Sequence, residues 1–198
     1  MTALTLNLEP VLYLTHEQFR KLCQLNPDLK LERTAEGRLI VMPPTGWESG
    51  NRNANLTADL IFWNRQAKLG MVFDSSTGFI LPNSAVRSPD AAWVRQDRMN
   101  ALNPDPDGFL PLAPDFVVEL RSASDSLRDG KAERLKSLQE KMQEYIDNGV
   151  RLGWLLNAKD QTVEIYRANR EIEVLSSPLI LSGEDVLPGF KLSLIEVF

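Results

Sequence analysis

The run "DFVVELR", residues 115–121, constrains this chain more than any other stretch, because it sets a glutamate and an arginine inside an otherwise apolar strand. Side chains alternate across a strand, so Phe116, Val118 and Leu120 share one face while Val117, Glu119 and Arg121 share the other. A carboxylate taken out of water without a partner is strongly disfavoured. The Glu119 face is therefore an exposed edge, an internally paired surface or a place where a cation sits. A Glu119–Arg121 ion pair on a wet sheet face satisfies these residues as well as a cation does.

A second acid bears on that choice. "SPDAAWV", residues 88–94, opens a strand with Asp90 directly after a proline. Aspartate after proline also serves as a turn or cap residue. Two acids on adjacent strands, however, can converge on one hard cation of the magnesium class, which prefers oxygen ligands and keeps several waters. The segment 124–148 reads as the best-formed helix of the chain, with Leu135, Leu138, Met142, Tyr145 and Ile146 as its buried stripe and Gly149 as its stop. At about 100° per residue, Lys141 falls at the edge of that stripe beside Tyr145. There it can lean over the sheet or snorkel to solvent. Lys136, Glu140 and Glu144 lie farther round, toward water.

The rest of the chain supplies a mixed α/β order. Residues 15–25 read as a short helix capped by Thr15, with Gln18 as the partner of a capping box and Phe19, Leu22 and Cys23 on one face. "LKLER" and "RLIVMP" form a hairpin around "TAEG". After the breaker "PPTG", residues 47–68 are helical, Gly70 stops the helix, and "MVFDSSTGFIL" returns to strand. "NPDPDGFLPLAP" is loop, and three strands follow at "RLGWLL", "TVEIYR" and "EIEVL". This order predicts an α/β or α+β fold, a central mixed β-sheet flanked by helices. With 198 residues, of which 43% are hydrophobic, the chain is expected to form one domain.

Several chemistries are excluded or disfavoured. One cysteine, Cys23, leaves no intramolecular disulfide and no thiolate cluster for zinc; it reads as a small core residue. The one histidine, His16, reads as a solvated helix-start residue. "GWESG" at 46–50 does not centre a serine as a nucleophile elbow requires, and Gly130-Lys131 lacks the remainder of a phosphate-binding loop. No run of about 18 apolar residues is present, and "MTALTLNLEPVLYL" lacks the basic start and apolar core of a secretory signal, so a cytoplasmic protein with no membrane association is expected.

The string "SPDAAWV … PDFVVELRSASDS … LQEKMQEYIDNGVRLGWLLN … VEIYR" resembles the Uma-type family of restriction endonucleases, a branch of the PD-(D/E)XK nuclease-like superfamily. The resemblance covers most of residues 37–190 and is densest over 114–167. It implies a single restriction-endonuclease-like domain over 1–198 with its core at about 37–190. It further implies Asp90 and Glu119 as ligands of Mg²⁺ or Mn²⁺, and DNA phosphodiester hydrolysis as the reaction. The superfamily places a lysine two residues after the second acid, where this chain has Arg121. The resemblance transfers that role to the following helix as a K-x-x-x-Y pattern, matched by Lys141 and Tyr145. Glu48, after the hairpin "RLIVMPPTG", is implied as an accessory acid, and Arg121 as a counter-charge to the acids or a phosphate contact.

The reading that results is a metal-dependent DNA endonuclease, with Asp90, Glu119 and Lys141 catalytic and a homodimer addressing two strands. A nuclease-fold protein that binds nucleic acid without cutting it is the alternative, and an interaction domain with merely structural charges is a third. The net charge of −5 argues against a broad cationic surface, so any DNA groove is local, with Arg52, Arg65, Lys68, Arg95, Arg128, Lys131 and Arg134 as candidates.

Overall fold

The computed structural model describes residues 4–6, 13–121, 131–195 and 197–198. Along the chain run β1 (Leu4–Leu6), α1 (His16–Leu25), β2 (Lys30–Arg33), β3 (Leu39–Met42), α2 (Trp47–Ala67), β4 (Gly70–Asp74), β5 (Phe79–Ile80) and β6 (Val86–Arg87). Next come β7 (Ala91–Arg95), α3 (Gln96–Asn100), β8 (Phe116–Leu120), α4 (Lys131–Asp147), β9 (Leu152–Asn157), β10 (Thr162–Arg167), β11 (Glu173–Ser176), β12 (Ile180–Ser182) and β13 (Lys191–Ser193).

One compact unit, built from Met1–Pro44, Ser76–Ser88 and Pro104–Ala113, carries a five-stranded sheet in the order β1-β3-β2-β6-β5. The expected hairpin is its centre, with Leu31 opposite Val41 in an antiparallel ladder. Helix α1 begins as its sequence predicts. The Thr15 hydroxyl accepts from the Gln18 N–H at 3.2 Å, and the Gln18 side chain accepts from the Thr15 N–H at 2.9 Å, completing the capping box. Phe19 is fully buried among Leu14, Leu31, Leu39 and Val86, with Leu22 and Cys23 packed alongside. His16 is partly exposed, with its Nδ1 shielded from water and without a hydrogen-bond partner among the described residues. Burial, reinforced by nearby Arg33, lowers its pKa and so favours the neutral imidazole.

The second unit, Thr45–Ser75, Pro89–Asn103 and Pro114–Phe198, holds the central mixed sheet, ordered β11-β10-β9-β8-β7-β4. Only the β8–β9 pairing is parallel among these ladders, and it is joined by the α4 crossover, as parallel neighbours require. Helix α2 packs on β4, β7 and β13, and α4 packs on β8, β9 and β10. The α2 helix contributes Leu56 and Leu60 to a core with Trp93, Phe116, Val118, Trp154, Leu187 and Phe190. Phe116 meets Trp154 edge-on at 4.8 Å between ring centroids. Val117, Glu119 and Gly153 lie on the α4 side, where a Cβ added to Gly153 would come within 2.5 Å of the Met142 Cε and 3.4 Å of Val117. A near-bare sheet position at Gly153 thus lets the helix settle close to the strands.

Two local expectations change. Helix α2 ends not at Gly70 but at Lys68, which takes a left-handed conformation (φ 54°) and returns its N–H to the Asn64 carbonyl at 2.7 Å. Gly70 is instead the first residue of β4, because the Trp93 ring and the Val94 carbonyl occupy the space a side chain would need. "MVFDSSTGFIL" is also not one strand: β4 belongs to the six-stranded sheet and β5 to the five-stranded one. The Ser-Ser-Thr-Gly segment between them is turn chemistry, which here separates two sheets. The expected first turns of the long helix, 124–130, lie outside the described residues. The remaining strands at 152–157, 162–167 and 173–176 fall where their alternation predicts.

Candidate functional site

Glu119 is the fourth residue of β8, and its side chain leaves the strand toward α4. Its Oε1 lies 2.8 Å from the Lys141 ammonium and accepts a hydrogen bond from the Tyr145 hydroxyl at 3.0 Å. The Lys141 and Glu119 side chains are 10% and 6% exposed, so this is a buried ion pair. Lysine and tyrosine four residues apart sit one above the other on a helix face. Their spacing is what delivers both donors to one carboxylate oxygen. The ammonium also lies 5.8 Å from the centroid of the Tyr145 ring.

Asp90 precedes β7 by one residue. The antiparallel β7–β8 ladder pairs Ala91 with Val118, so Asp90 enters β7 next to the end of β8 that carries Glu119. The Asp90 Oδ2 accepts the backbone N–H of Leu120 at 2.8 Å, which holds its carboxylate against the end of β8.

The other sequence candidates lie apart from this group. Arg121 donates to Asp160 at 3.0 Å, while the Asn157 amide donates to the same Asp160 oxygen at 2.8 Å. The two charges of "DFVVELR" thus take different partners: Glu119 turns to α4, and Arg121 to the turn between β9 and β10. The Asn157 hydrogen bond, with Arg121 and Lys159 nearby, holds the Asp160 carboxyl below the usual range. Glu48 is half-exposed in the first turn of α2, where the helix dipole favours an anion, and pairs with Arg52 at 3.5 Å. Among the basic candidates, Arg95 is held by Asp97 at 2.6 Å, Arg128 lies outside the described residues, and so do the side chains of Lys131 and Arg134.

Sequence reasoning did not single out Glu164. Cross-strand register sets Leu155 opposite both Glu119 and Glu164, which puts Glu164 in the same row of the sheet, on the α4 side. It accepts from the Gln139 amide at 2.8 Å and the Tyr166 hydroxyl at 2.6 Å. Burial and this carboxylate push the Tyr166 pKa far up, so the phenol remains a donor. The signal available in the sequence was the alternation of "TVEIYR", which already set Glu164 and Tyr166 on one face.

Asp90 and Glu119 each offer carboxylate oxygens as donors. Among the described residues, no three His, Cys, Asp or Glu side chains gather as a larger cluster. A magnesium-class ion is commonly held by one or two carboxylates with water completing its shell, so the Asp90–Glu119 pair fits such an ion in kind and number.

A six-stranded mixed sheet with helices packed on it defines a mixed α/β fold. The crystal structure of a putative nuclease belonging to DUF820 from Anabaena variabilis ATCC 29413 shares this fold, with a TM-score of 0.74 at 19% identity over 93% of this chain and 97% of that one. The Uma2 family, described as putative restriction endonuclease, matches residues 16–195, and the chain belongs to that family. No curated protein matches the chain.

Proposed function

We propose that this protein is a metal-dependent DNA endonuclease that works as one restriction-endonuclease-like domain, with Asp90, Glu119 and Lys141 as its catalytic residues. The observation that carries the reading is the meeting of Lys141 and Tyr145 at Glu119, beside the Asp90 carboxylate that accepts from Leu120. Asp90 and Glu119 would hold Mg²⁺ or Mn²⁺, which when bound supplies Lewis-acid activation of water and neutralises charge on the scissile phosphate. Leu120 fixes the Asp90 carboxylate through its N–H. Tyr145 orients Glu119, and Lys141 brings a positive charge to a site closed to most solvent, where a cation stabilises a developing anion most strongly. Glu48 and Arg121 stand as accessory groups in this proposal, and cytoplasmic location and a homodimer complete it. Among the described residues, no helix is long and apolar enough to cross a membrane.

A second reading, nucleic-acid binding without cleavage, is favoured by Arg121, which stands where the superfamily has its lysine and pairs with Asp160 instead of approaching Glu119. One assay separates the two. Purified protein is incubated with supercoiled, linear and branched DNA in Mg²⁺ or Mn²⁺, with and without EDTA. Cleavage is expected only with the metal, and Asp90→Asn and Glu119→Gln are each expected to lose at least ~10²–10³-fold. Equal cleavage by wild type and Asp90→Asn would refute the endonuclease reading. DNA binding with no metal-dependent cleavage on any of these forms would establish the second.

A further inference from the structure

We propose that the Lys141 ammonium is the resident counter-ion of Glu119 in the metal-free protein, displaced when a divalent cation takes that carboxylate, so that Lys141 sets the protein's metal affinity. The inference rests on the reading of Asp90 and Glu119 as cation ligands and adds to it how that site is regulated.

The geometry that points to it is the occupancy of a single atom. Glu119 Oε1 is bonded both by the Lys141 Nζ at 2.8 Å and by the Tyr145 hydroxyl at 3.0 Å. These two partners differ in what a cation does to them. Tyr145 is neutral and keeps donating to a carboxylate that also binds a metal. The ammonium carries a full charge, and repulsion between it and a dication on one carboxylate is large where water is scarce. With the ion pair only 10% and 6% exposed, solvent screens little of that repulsion.

The four-carbon stem of lysine is flexible, and the Tyr145 ring already lies 5.8 Å from the ammonium, at the outer reach of a cation–π contact. Tyr145 thus holds Glu119 in place while Lys141 withdraws. A protein built in this way keeps its buried carboxylate neutralised before metal arrives, at the expense of weaker metal binding. Withdrawal also turns the ammonium from an internal partner into a charge available to a phosphate.

The test is calorimetric titration of Mn²⁺ into metal-free wild type, Lys141→Met, Lys141→Gln, Tyr145→Phe, Glu119→Gln and Asp90→Asn, with folding checked by circular dichroism. Lys141→Gln retains a hydrogen-bond donor for Glu119 and guards against a methionine variant that does not fold. Both neutral variants are expected to bind Mn²⁺ roughly tenfold or more tightly than wild type, and Tyr145→Phe, which loses the donor that orients Glu119, no more tightly than wild type. Their melting temperatures should rise more on adding Mn²⁺ than that of wild type. Folded Lys141 variants that bind no tighter than wild type would overturn the displacement. If Glu119→Gln and Asp90→Asn bind Mn²⁺ as wild type does, the metal-site reading itself fails; if they lose binding while the Lys141 variants gain none, only the displacement fails.

Discussion

Lys141→Met in the metal-free protein isolates the energetics of the Glu119 pair. Removing one partner of a buried ion pair typically costs about 3–5 kcal/mol, because the other charge is left without compensation. The hydrogen bond that Tyr145 continues to donate to Glu119 Oε1 lowers that figure here. The expected destabilisation is therefore about 2–3.5 kcal/mol, or a melting point lower by roughly 4–14 °C for a chain of this size. The discount that applies to surface pairs is not needed, since both side chains are nearly sealed from water. Urea unfolding followed by circular dichroism on wild type, Lys141→Met, Glu119→Gln and the double variant reads the coupling directly. It should exceed about 1.5 kcal/mol, with the double variant more stable than the sum of the single losses predicts. Additivity within about 0.5 kcal/mol would refute the reasoning and return the pair to the status of a solvent-screened contact.

Three further outcomes follow from other parts of the second unit. Gly70→Ala would put a Cβ 2.2 Å from the Val94 carbonyl oxygen and 2.6 Å from the Trp93 ring, so it should lower the urea midpoint by an amount worth at least about 1–3 kcal/mol. Gly50→Ala, in helix α2 with its nearest atom at 3.7 Å, should instead stabilise by about 0.5–1 kcal/mol. Asp160 gains stability from a folded-state pKa held down first by Asn157 and then by Arg121. That contribution is present above the unfolded carboxylate range and is lost as pH falls through the folded value. The stability difference between wild type and Asp160→Asn should therefore be small, because the group is exposed, and should vanish in acid; a difference unchanged across pH would count against it.

Local chemistry made much of this protein legible in its sequence. Thr15 and Gln18 announce the start of α1 because the capping box is a contact between neighbours in the chain. The stripe of Leu135, Leu138, Met142 and Tyr145 announces α4, and the alternation in "DFVVELR" sets Glu119 on one face of a strand, because periodicity is local too. Resemblance in "SPD", "VVEL" and K-x-x-x-Y raised the nuclease reading and named Asp90, Glu119 and Lys141 as one set, with Tyr145 as an accessory. What the sequence left open were the contacts made across the chain. Whether Glu119 pairs with Arg121 two residues away or with Lys141 on the next helix depends on where α4 crosses the sheet, and that follows from the space left over Gly153. Asp90 meets the end of β8 because β7 and β8 are antiparallel in one register, and a slip of one residue would turn its side chain to the other face. Gly70, a plausible helix stop by type, is a strand residue because Trp93 covers it from 23 positions further along the chain. Charge type and periodicity are properties of neighbours along the chain, whereas the partner of a charge is chosen by packing and register, which only the folded chain supplies.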